Sequence, residues 1–120
     1  IFCIGETLSE KRKKKTRSVL SKQIKFGLNK IKDKSKIFIA YEPIWSIGTG
    51  TNCSLDKVLE ISSLVKSIIG DNTIFIYGGS VNKDNVLEYL SSPDINGVLV
   101  GSASLNKNSV EEMLNIIDAN

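Results

Sequence analysis

The strongest chemical signal in the sequence is a glutamate followed by a proline and a loop that contains two glycines. Glu42 follows the apolar run at 37–40, and Pro43 ends that run as a paired strand because proline has no N–H to donate. Gly48 and Gly50 lie in the loop beyond it. A carboxylate at the carboxyl end of a strand, beside a loop that can close over a pocket, lies where α/β folds place their chemistry. An isolated Tyr-Glu-Pro is more often a solvated turn.

The elements that must position Glu42 alternate between strands and helices. The apolar runs lack polar alternation, which is typical of strands in a parallel sheet that are buried on both faces. Thr7 and Ser54 are expected to cap two of the helices. We predict strands at 2–4, 37–41, 73–77 and 97–100, and helices at 9–32, 54–69, 84–90 and 109–117.

This alternation predicts parallel βα units, of which about four are visible. A closed (β/α)8 barrel needs eight strands and about 250 residues. A chain of 120 residues therefore fits half of such a barrel, as one domain segment spanning residues 1–120. The alternative is a small, complete, doubly wound α/β domain. The chain opens inside an apolar run without a starting methionine, as expected of a piece of a longer protein.

Composition excludes several classes of site. The 120 residues contain no histidine, which excludes Ser-His-Asp catalysis, Cys-His catalysis and any histidine-containing metal site within this chain. Cys3 and Cys53 have no metal-binding spacing and are compatible with a reducing cytosol. No apolar stretch approaches the roughly 18 residues of a membrane span, and there is no signal-peptide pattern.

The net charge of the chain is +3. Residues 11–15 form a run of basic side chains that could contact nucleic acid. No aromatic residues interrupt this run, and Glu6 and Glu10 lie just before it. We therefore interpret it as the solvated face of a helix.

Four sequence strings together resemble one enzyme family. They are CIGETL at 3–8, AYEPIWSIGTG at 40–50, YGGSV at 77–81 and VLVGSASL at 98–105. In this order, and spread over nearly the whole chain, they are similar to the triosephosphate isomerase family. The resemblance implies that the chain is the carboxyl-terminal half of a (β/α)8 TIM barrel, from the fifth strand to the eighth with their helices.

The resemblance also implies the roles of the site residues. Glu42 would be the base that moves a proton between neighbouring carbons of a triose phosphate, through an enediolate. The substrate phosphate would be bound by the N–H of Gly48, by Ser80 and by the N–H groups of Gly101 and Ser102. Phosphate sites of barrels form after the last two strands, where Ser80 and Gly101 lie. No cofactor and no metal are implied.

Residues 43–53 match the family's lid, with hinges at 43–45 and 51–53, and Tyr77 matches a tyrosine that helps to hold the closed lid. Cys3 and Glu6 match positions near the site, where we expect a buried small side chain and a polar structural residue. The sequence departs from the family pattern at the second hinge and at Ser102, which replaces a glycine.

The family's catalytic histidine, its lysine and its asparagine would belong to the absent half, so the segment alone is expected to be inactive. The complete enzyme is expected to be a cytoplasmic homodimer that binds neither nucleic acid nor membrane. Two other functions remain possible: a phosphate-binding barrel enzyme with different chemistry, against which AYEPIW argues, and a non-enzymatic anion- or nucleic-acid-binding module.

Overall fold

A four-stranded parallel sheet forms the centre of the molecule. The computed structural model describes all 120 residues. The strands lie side by side in chain order, and every neighbouring pair is parallel. They are β1 (Phe2–Ile4), β2 (Phe38–Tyr41), β3 (Ile74–Tyr77) and β4 (Gly97–Val98). The predicted parallel α/β fold is therefore confirmed.

Five α-helices follow the strands, two after β1 and one after each of the other strands. They are α1 (Leu8–Arg12), α2 (Thr16–Gly27), α3 (Leu55–Ile69), α4 (Val86–Leu90) and α5 (Lys107–Asp118). Short 3₁₀ turns at Ile44–Ser46 and Ser102–Leu105 follow β2 and β4. None of the helices is long and apolar enough to cross a membrane.

The strand order decides between a half-barrel and a doubly wound domain. Each strand pairs with the one before it, so the chain always moves in the same direction across the sheet. Right-handed crossovers that never reverse direction place all their helices on the same face. A doubly wound sheet needs a reversal to cover both faces. The structure therefore has the layering of part of a barrel, not of a doubly wound domain.

The core lies between the sheet and its helices. Leu20 and Ile24 of α2, with Ile61 and Val65 of α3, pack in one buried cluster against strand residues such as Phe75. These helix positions recur at spacings of about four residues, which places them on one face of each helix. The apolar periodicity that predicted α2 and α3 thus marks the residues that hold them to the sheet.

The predicted helix at 9–32 is wrong in two respects, because it is two helices and because it ends before residue 32. Thr7 caps α1 as predicted, through a reciprocal capping box in which its hydroxyl accepts from the N–H of Glu10 at 3.2 Å. The chain then breaks at Lys14, whose φ of 56° is left-handed. The second helix ends early, at Gly27.

The physical cause of the break is a buried carboxylate. The side chain of Glu6 is buried and accepts a hydrogen bond from the hydroxyl of Thr16 at 3.3 Å. A continuous helix rises about 1.5 Å per residue and would carry Thr16 about 12 Å along the axis from Leu8. The chain must turn back between the two helices for Thr16 to reach Glu6, and the exposed lysines at 13–15 form that turn.

The last strand is shorter than the predicted 97–100. Only Gly97 and Val98 form ladder pairs, with Ile76 and Tyr77 of β3. The N–H of Leu99 still donates to the Tyr77 carbonyl at 2.8 Å, and the chain then enters the 3₁₀ turn at Ser102–Leu105. The continuous apolar run therefore extended beyond the strand.

The strained turn at Lys14 yields a stability prediction. A non-glycine residue in the left-handed region costs roughly 1–2 kcal/mol, whereas glycine adopts it freely but adds about 0.4–1 kcal/mol of unfolded-state entropy. We expect Lys14→Gly to raise the free energy of unfolding by about 0.5–1 kcal/mol. Urea denaturation followed by circular dichroism measures it.

The matched control is Lys13→Gly, one residue away at an exposed position with a φ of −81°. Because lysine is unstrained there, glycine should lower the free energy of unfolding by about 0.5–1 kcal/mol. An equal loss of stability in both variants would contradict the strain at Lys14.

Candidate functional site

A cavity of about 600 Å³ opens at the carboxyl ends of β2, β3 and β4. All five residues that the sequence analysis singled out for chemistry line it, from three strand ends and from loop 43–53. The lining residues are Glu42, Ile47, Gly48, Gly50, Gly78, Ser80, Val81, Asn82, Leu99, Val100, Gly101, Ser102 and Ala103. The structure thus brings together residues that are up to 60 positions apart in sequence because the ends of parallel strands meet at one edge.

The main chain of Glu42 is fixed by a hydrogen bond, and the neighbouring Gly78 leaves room for its side chain. Its N–H donates to the carbonyl of Ile4 at 2.8 Å, continuing the pairing of β1 with β2. A Cβ atom placed on Gly78 would lie 2.7 Å from Cγ of Glu42 and 3.2 Å from Cβ of Leu99. Glycine at position 78 therefore leaves the space that the Glu42 side chain occupies beside the end of β3.

Several residues that line the cavity have an unpaired main-chain N–H. The N–H groups of Gly48, Ser80, Gly101 and Ser102 have no hydrogen-bond partner within the protein. Main-chain N–H groups that converge without a positive side chain can bind an anion. No lysine or arginine lines the cavity, and Glu42 is its one charged residue.

Backbone strain in the cavity lies at Ser80 rather than at Ser102. Ser80 has a φ of 50°, in the left-handed region, whereas Ser102 is outside that region. The hydroxyl of Ser80 donates to the carbonyl of Ser46. In this arrangement the Ser80 hydroxyl holds loop 43–53, and the N–H of Ser80 is its unpaired donor. The serine at position 102 is accommodated without strain.

Hydrogen bonds between its own residues stabilise loop 43–53. The hydroxyl of Ser46 donates to the carbonyl of Thr51 at 2.5 Å, and that of Thr49 donates to the Trp45 carbonyl at 3.2 Å. Gly48 and Gly50 have φ values of 66° and 74°, which favour glycine at both positions. These two glycines carry the tip of the loop to the cavity wall.

The first hinge of the loop is fixed by its tryptophan. The indole N–H of Trp45 donates to the Glu6 carboxylate at 3.0 Å, and Nζ of Lys11 lies 3.3 Å from the ring centroid, as a cation–π contact. Glu6 is therefore a polar structural residue, as the sequence predicted, and it is buried. The role of Lys11 was missed, because nothing in a run of basic residues distinguishes one lysine from its neighbours.

Comparisons with known proteins decide the family. A family model described as "Triosephosphate isomerase" matches residues 1–119. The chain belongs to the triosephosphate isomerase family. It is 44% identical over 116 residues to the triosephosphate isomerase of Prochlorococcus marinus, 43% over 117 to that of Mycoplasma mobile and 42% over 125 to that of Borrelia garinii.

The match covers most of this chain and part of each relative. It spans 96%, 98% and 96% of the chain, but 48%, 47% and 49% of the three relatives. The chain thus spans about half the length of the curated triosephosphate isomerases it matches. Four strands in half the length agree with a family whose fold is an eight-stranded barrel.

The second hinge, where the sequence departs from the triosephosphate isomerase pattern, is held by two tyrosines. The hydroxyl of Tyr77 accepts from the N–H of Cys53 at 2.8 Å, and the hydroxyl of Tyr89 donates to the carbonyl of the same residue at 2.5 Å. Asn52 donates through Nδ2 to the Tyr89 hydroxyl at 2.7 Å. The contact of Tyr77 with this hinge agrees with its expected place beside the lid. Tyr89 was missed, since it lies on α4, away from every motif.

Cys3 differs from the sequence expectation, because it is exposed rather than buried. It shares a sheet face with its ladder partner Ala40, opposite to the face that packs on the helices. A hydrogen bond to Glu42, with partial burial and the charge of that carboxylate, raises the pKa of the Cys3 thiol to about 11. The pKa of the Cys3 thiol is therefore sensitive to the Glu42 carboxylate beside it.

No three His, Cys, Asp or Glu side chains are grouped so as to hold a metal ion.

The Cys3–Glu42 contact yields a pH prediction. Because the thiolate is the reactive form, alkylation of Cys3 by iodoacetamide should rise with pH to a midpoint at about 11, not at the ordinary 9.0. Glu42→Gln removes the negative charge and should move this midpoint down towards 9.0. Mass spectrometry of the Cys3 peptide after timed labelling measures both.

Cys53 is the internal control in the same samples. It is buried, and burial raises the pKa of its thiol to about 11. Its slow labelling should not respond to Glu42→Gln, since Glu42 is not among the groups that shift its pKa. An unchanged Cys3 midpoint in the variant would show that Glu42 does not contact the thiol.

Proposed function

We propose that this chain supplies the base and the phosphate-binding part of a triosephosphate isomerase, which interconverts dihydroxyacetone phosphate and D-glyceraldehyde 3-phosphate. Glu42 removes a proton from the carbon beside the carbonyl and returns it to the neighbouring carbon. The N–H groups of Gly48, Ser80, Gly101 and Ser102 bind the phosphate.

The observation that carries this proposal is the division of charge in one cavity. A single carboxylate, Glu42, lies at the end of β2, while unpaired N–H groups lie at the ends of β3 and β4 and in loop 43–53. A substrate that has an anionic group at one end and an acidic C–H at the other matches this division. Triose phosphates have both groups on a skeleton of three carbons.

Loop 43–53 supports the same reaction. The loop contributes Ile47 and Gly48 to the cavity wall, so its position controls how much water reaches Glu42. Exclusion of water strengthens the interaction of a carboxylate base with its substrate and protects a reactive intermediate such as an enediolate. The glycine-rich tip can approach a phosphate closely because it has no side chains at positions 48 and 50.

The remaining catalytic groups would come from the part of the family barrel that this chain does not match. The chain has no histidine, so the family's electrophilic histidine, together with its lysine and asparagine, would come from there. We therefore expect residues 1–120, as one half of a single barrel domain, to show no turnover alone. The complete enzyme would be a cytoplasmic homodimer without cofactor or metal.

A nucleic-acid-binding module is less well supported. Within the basic run, Lys11 stacks on Trp45 and does not form part of a free basic surface. The turn between α1 and α2 contains residues 13–15 of the run, and it brings Thr16 back to Glu6. The run is thus accounted for by the fold.

A chimaera tests the proposed function. It joins the amino-terminal part of the Prochlorococcus marinus relative, up to its match with Ile1, to residues 1–120. In an active chimaera, Glu42→Gln should lower kcat by about 10²–10⁴, the usual range for a positioned base, with a much smaller change in KM. A coupled assay with dihydroxyacetone phosphate measures both constants.

Two controls make the result specific. Residues 1–120 alone, freed of host isomerase, should show no turnover. Glu60→Gln removes an exposed carboxylate on α3, whose partner is Lys57 at 2.7 Å, and should leave kcat unchanged. Retention of more than about a third of kcat by Glu42→Gln would remove Glu42 from the role of base.

The proposed phosphate donors can be tested at Ser102. Ser102→Pro deletes one unpaired N–H and should weaken binding of a phosphate-bearing inhibitor by about 1.5–3 kcal/mol, the range for a hydrogen bond to a charged group. Ser102→Gly keeps the N–H and should leave the affinity unchanged. Calorimetric titration of the two variants, each checked for folding by its thermal transition, gives the comparison; equal affinities in folded proteins would place the phosphate elsewhere.

A further inference from the structure

Both main-chain groups of Cys53 are held by tyrosines from two different elements. Its N–H donates to Tyr77, the last residue of β3, at 2.8 Å. Its carbonyl accepts from Tyr89 of α4 at 2.5 Å, and no other donor reaches that carbonyl. Cys53 is the last residue of loop 43–53, one position before the N-cap of α3. The N–H and the carbonyl at the end of loop 43–53 are therefore both held by hydrogen bonds.

The hydroxyl of Tyr89 makes two hydrogen bonds. It donates to the carbonyl of Cys53 and accepts from Nδ2 of Asn52 at 2.7 Å, so it contacts two consecutive residues of the hinge. The ring is fully buried, and its centroid lies 4.3 Å from that of Tyr77. A buried hydroxyl with two partners on a packed ring is a rigid anchor, because moving it would break both hydrogen bonds inside the protein.

We propose that Tyr89 is a positioning residue for loop 43–53. It touches neither the cavity nor its lining carboxylate and acts through the hinge at Asn52 and Cys53. The inference rests on the proposed function in one respect, namely that the loop covers a bound substrate.

The contacts carry this effect to the tip of the loop. Thr51, next to the clamped hinge, accepts from the hydroxyl of Ser46, and Ser46 in turn accepts from Ser80 at the cavity. Between Ser46 and Thr51 lie the loop residues that line the cavity, Ile47, Gly48 and Gly50. Release of the hinge therefore loosens the segment whose N–H at Gly48 faces the proposed phosphate site.

The first test is hydrogen exchange on the 120-residue chain. Tyr89→Phe keeps the ring and removes the hydroxyl, leaving the Cys53 carbonyl and the Asn52 amide without their partner. We expect the N–H of Cys53 to exchange about tenfold faster, because a buried carbonyl without a donor favours local opening. Exchange at Val65, in the core of α3, is the internal reference.

The control is Ser62→Ala. Ser62 is also buried, and its hydroxyl also donates to a carbonyl, that of Asp94, at 2.8 Å, but it lies away from the loop. This variant likewise removes a buried hydroxyl that donates to a carbonyl, whereas Tyr89→Phe also removes the bond from Asn52. Exchange at Cys53 relative to Val65 should stay within about twofold of the wild type.

A double-mutant cycle separates the two bonds of the hydroxyl. Asn52→Ala removes one partner of Tyr89 and should raise exchange at Cys53 less than Tyr89→Phe does. The double variant should match Tyr89→Phe, because the Asn52 amide has no hydroxyl left to lose. A relative exchange at Cys53 that Tyr89→Phe leaves within about twofold, or raises no more than Ser62→Ala, would overturn the clamp.

Kinetics of the chimaera separate this proposal from the proposed function. With the hinge released, kcat/KM should fall and the Kd of a phosphate-bearing inhibitor should rise, each by roughly three- to tenfold, since a smaller fraction of the protein has the loop in place. Ser62→Ala should change neither. Turnover that depends on Glu42 but is unaffected by Tyr89→Phe would overturn the positioning role and keep the isomerase; faster exchange in a chimaera without turnover would keep the clamp and overturn the isomerase.

Discussion

The buried carboxylate of Glu6 is the interaction on which the rest of the structure depends. It accepts hydrogen bonds from the hydroxyl of Thr16, the hydroxyl of Tyr41 at 3.1 Å and the indole of Trp45. These donors belong to α2, β2 and loop 43–53. A buried charge without partners is very unfavourable, so all three elements must take the positions that satisfy it. One side chain thereby fixes the helix break, the pairing of β1 with β2 and the start of the loop.

The two ends of the loop are held in different ways, and this difference has a consequence for motion. The first hinge depends on one charged network, in which Glu6 accepts from the indole N–H of Trp45 and Lys11 lies over its ring. The second depends on two neutral hydrogen bonds of Cys53, whose N–H donates to Tyr77 and whose carbonyl accepts from Tyr89. Salt screens exposed charges such as that of Lys11 but hardly affects buried neutral hydrogen bonds. Ionic strength should therefore act on the first hinge of the loop and spare the second.

Features set by local chemistry could be predicted from the sequence, and features set by distant partners could not. The apolar runs located all four strands, and the order of the motifs placed Glu42, Ser80 and Gly101 at one edge of the sheet. The break at Lys14 could not be seen, because it follows from the contact between Thr16 and Glu6 across the fold. Tyr89 was missed for the same reason: its partners lie 36 and 37 residues away.

The strained backbone in the cavity wall also depends on a contact between residues that are distant in sequence. Ser102 replaces a family glycine without a left-handed backbone, and the left-handed serine of the cavity wall is Ser80. Ser80 takes that conformation with its hydroxyl on the Ser46 carbonyl and its own carbonyl bound to the Asn85 side chain at 3.1 Å. These two bonds offset a backbone penalty of roughly 1–3 kcal/mol. The first bond also joins the turn after β3 to loop 43–53, so movement of the loop away from Ser80 would remove one of the two contacts that offset the strain.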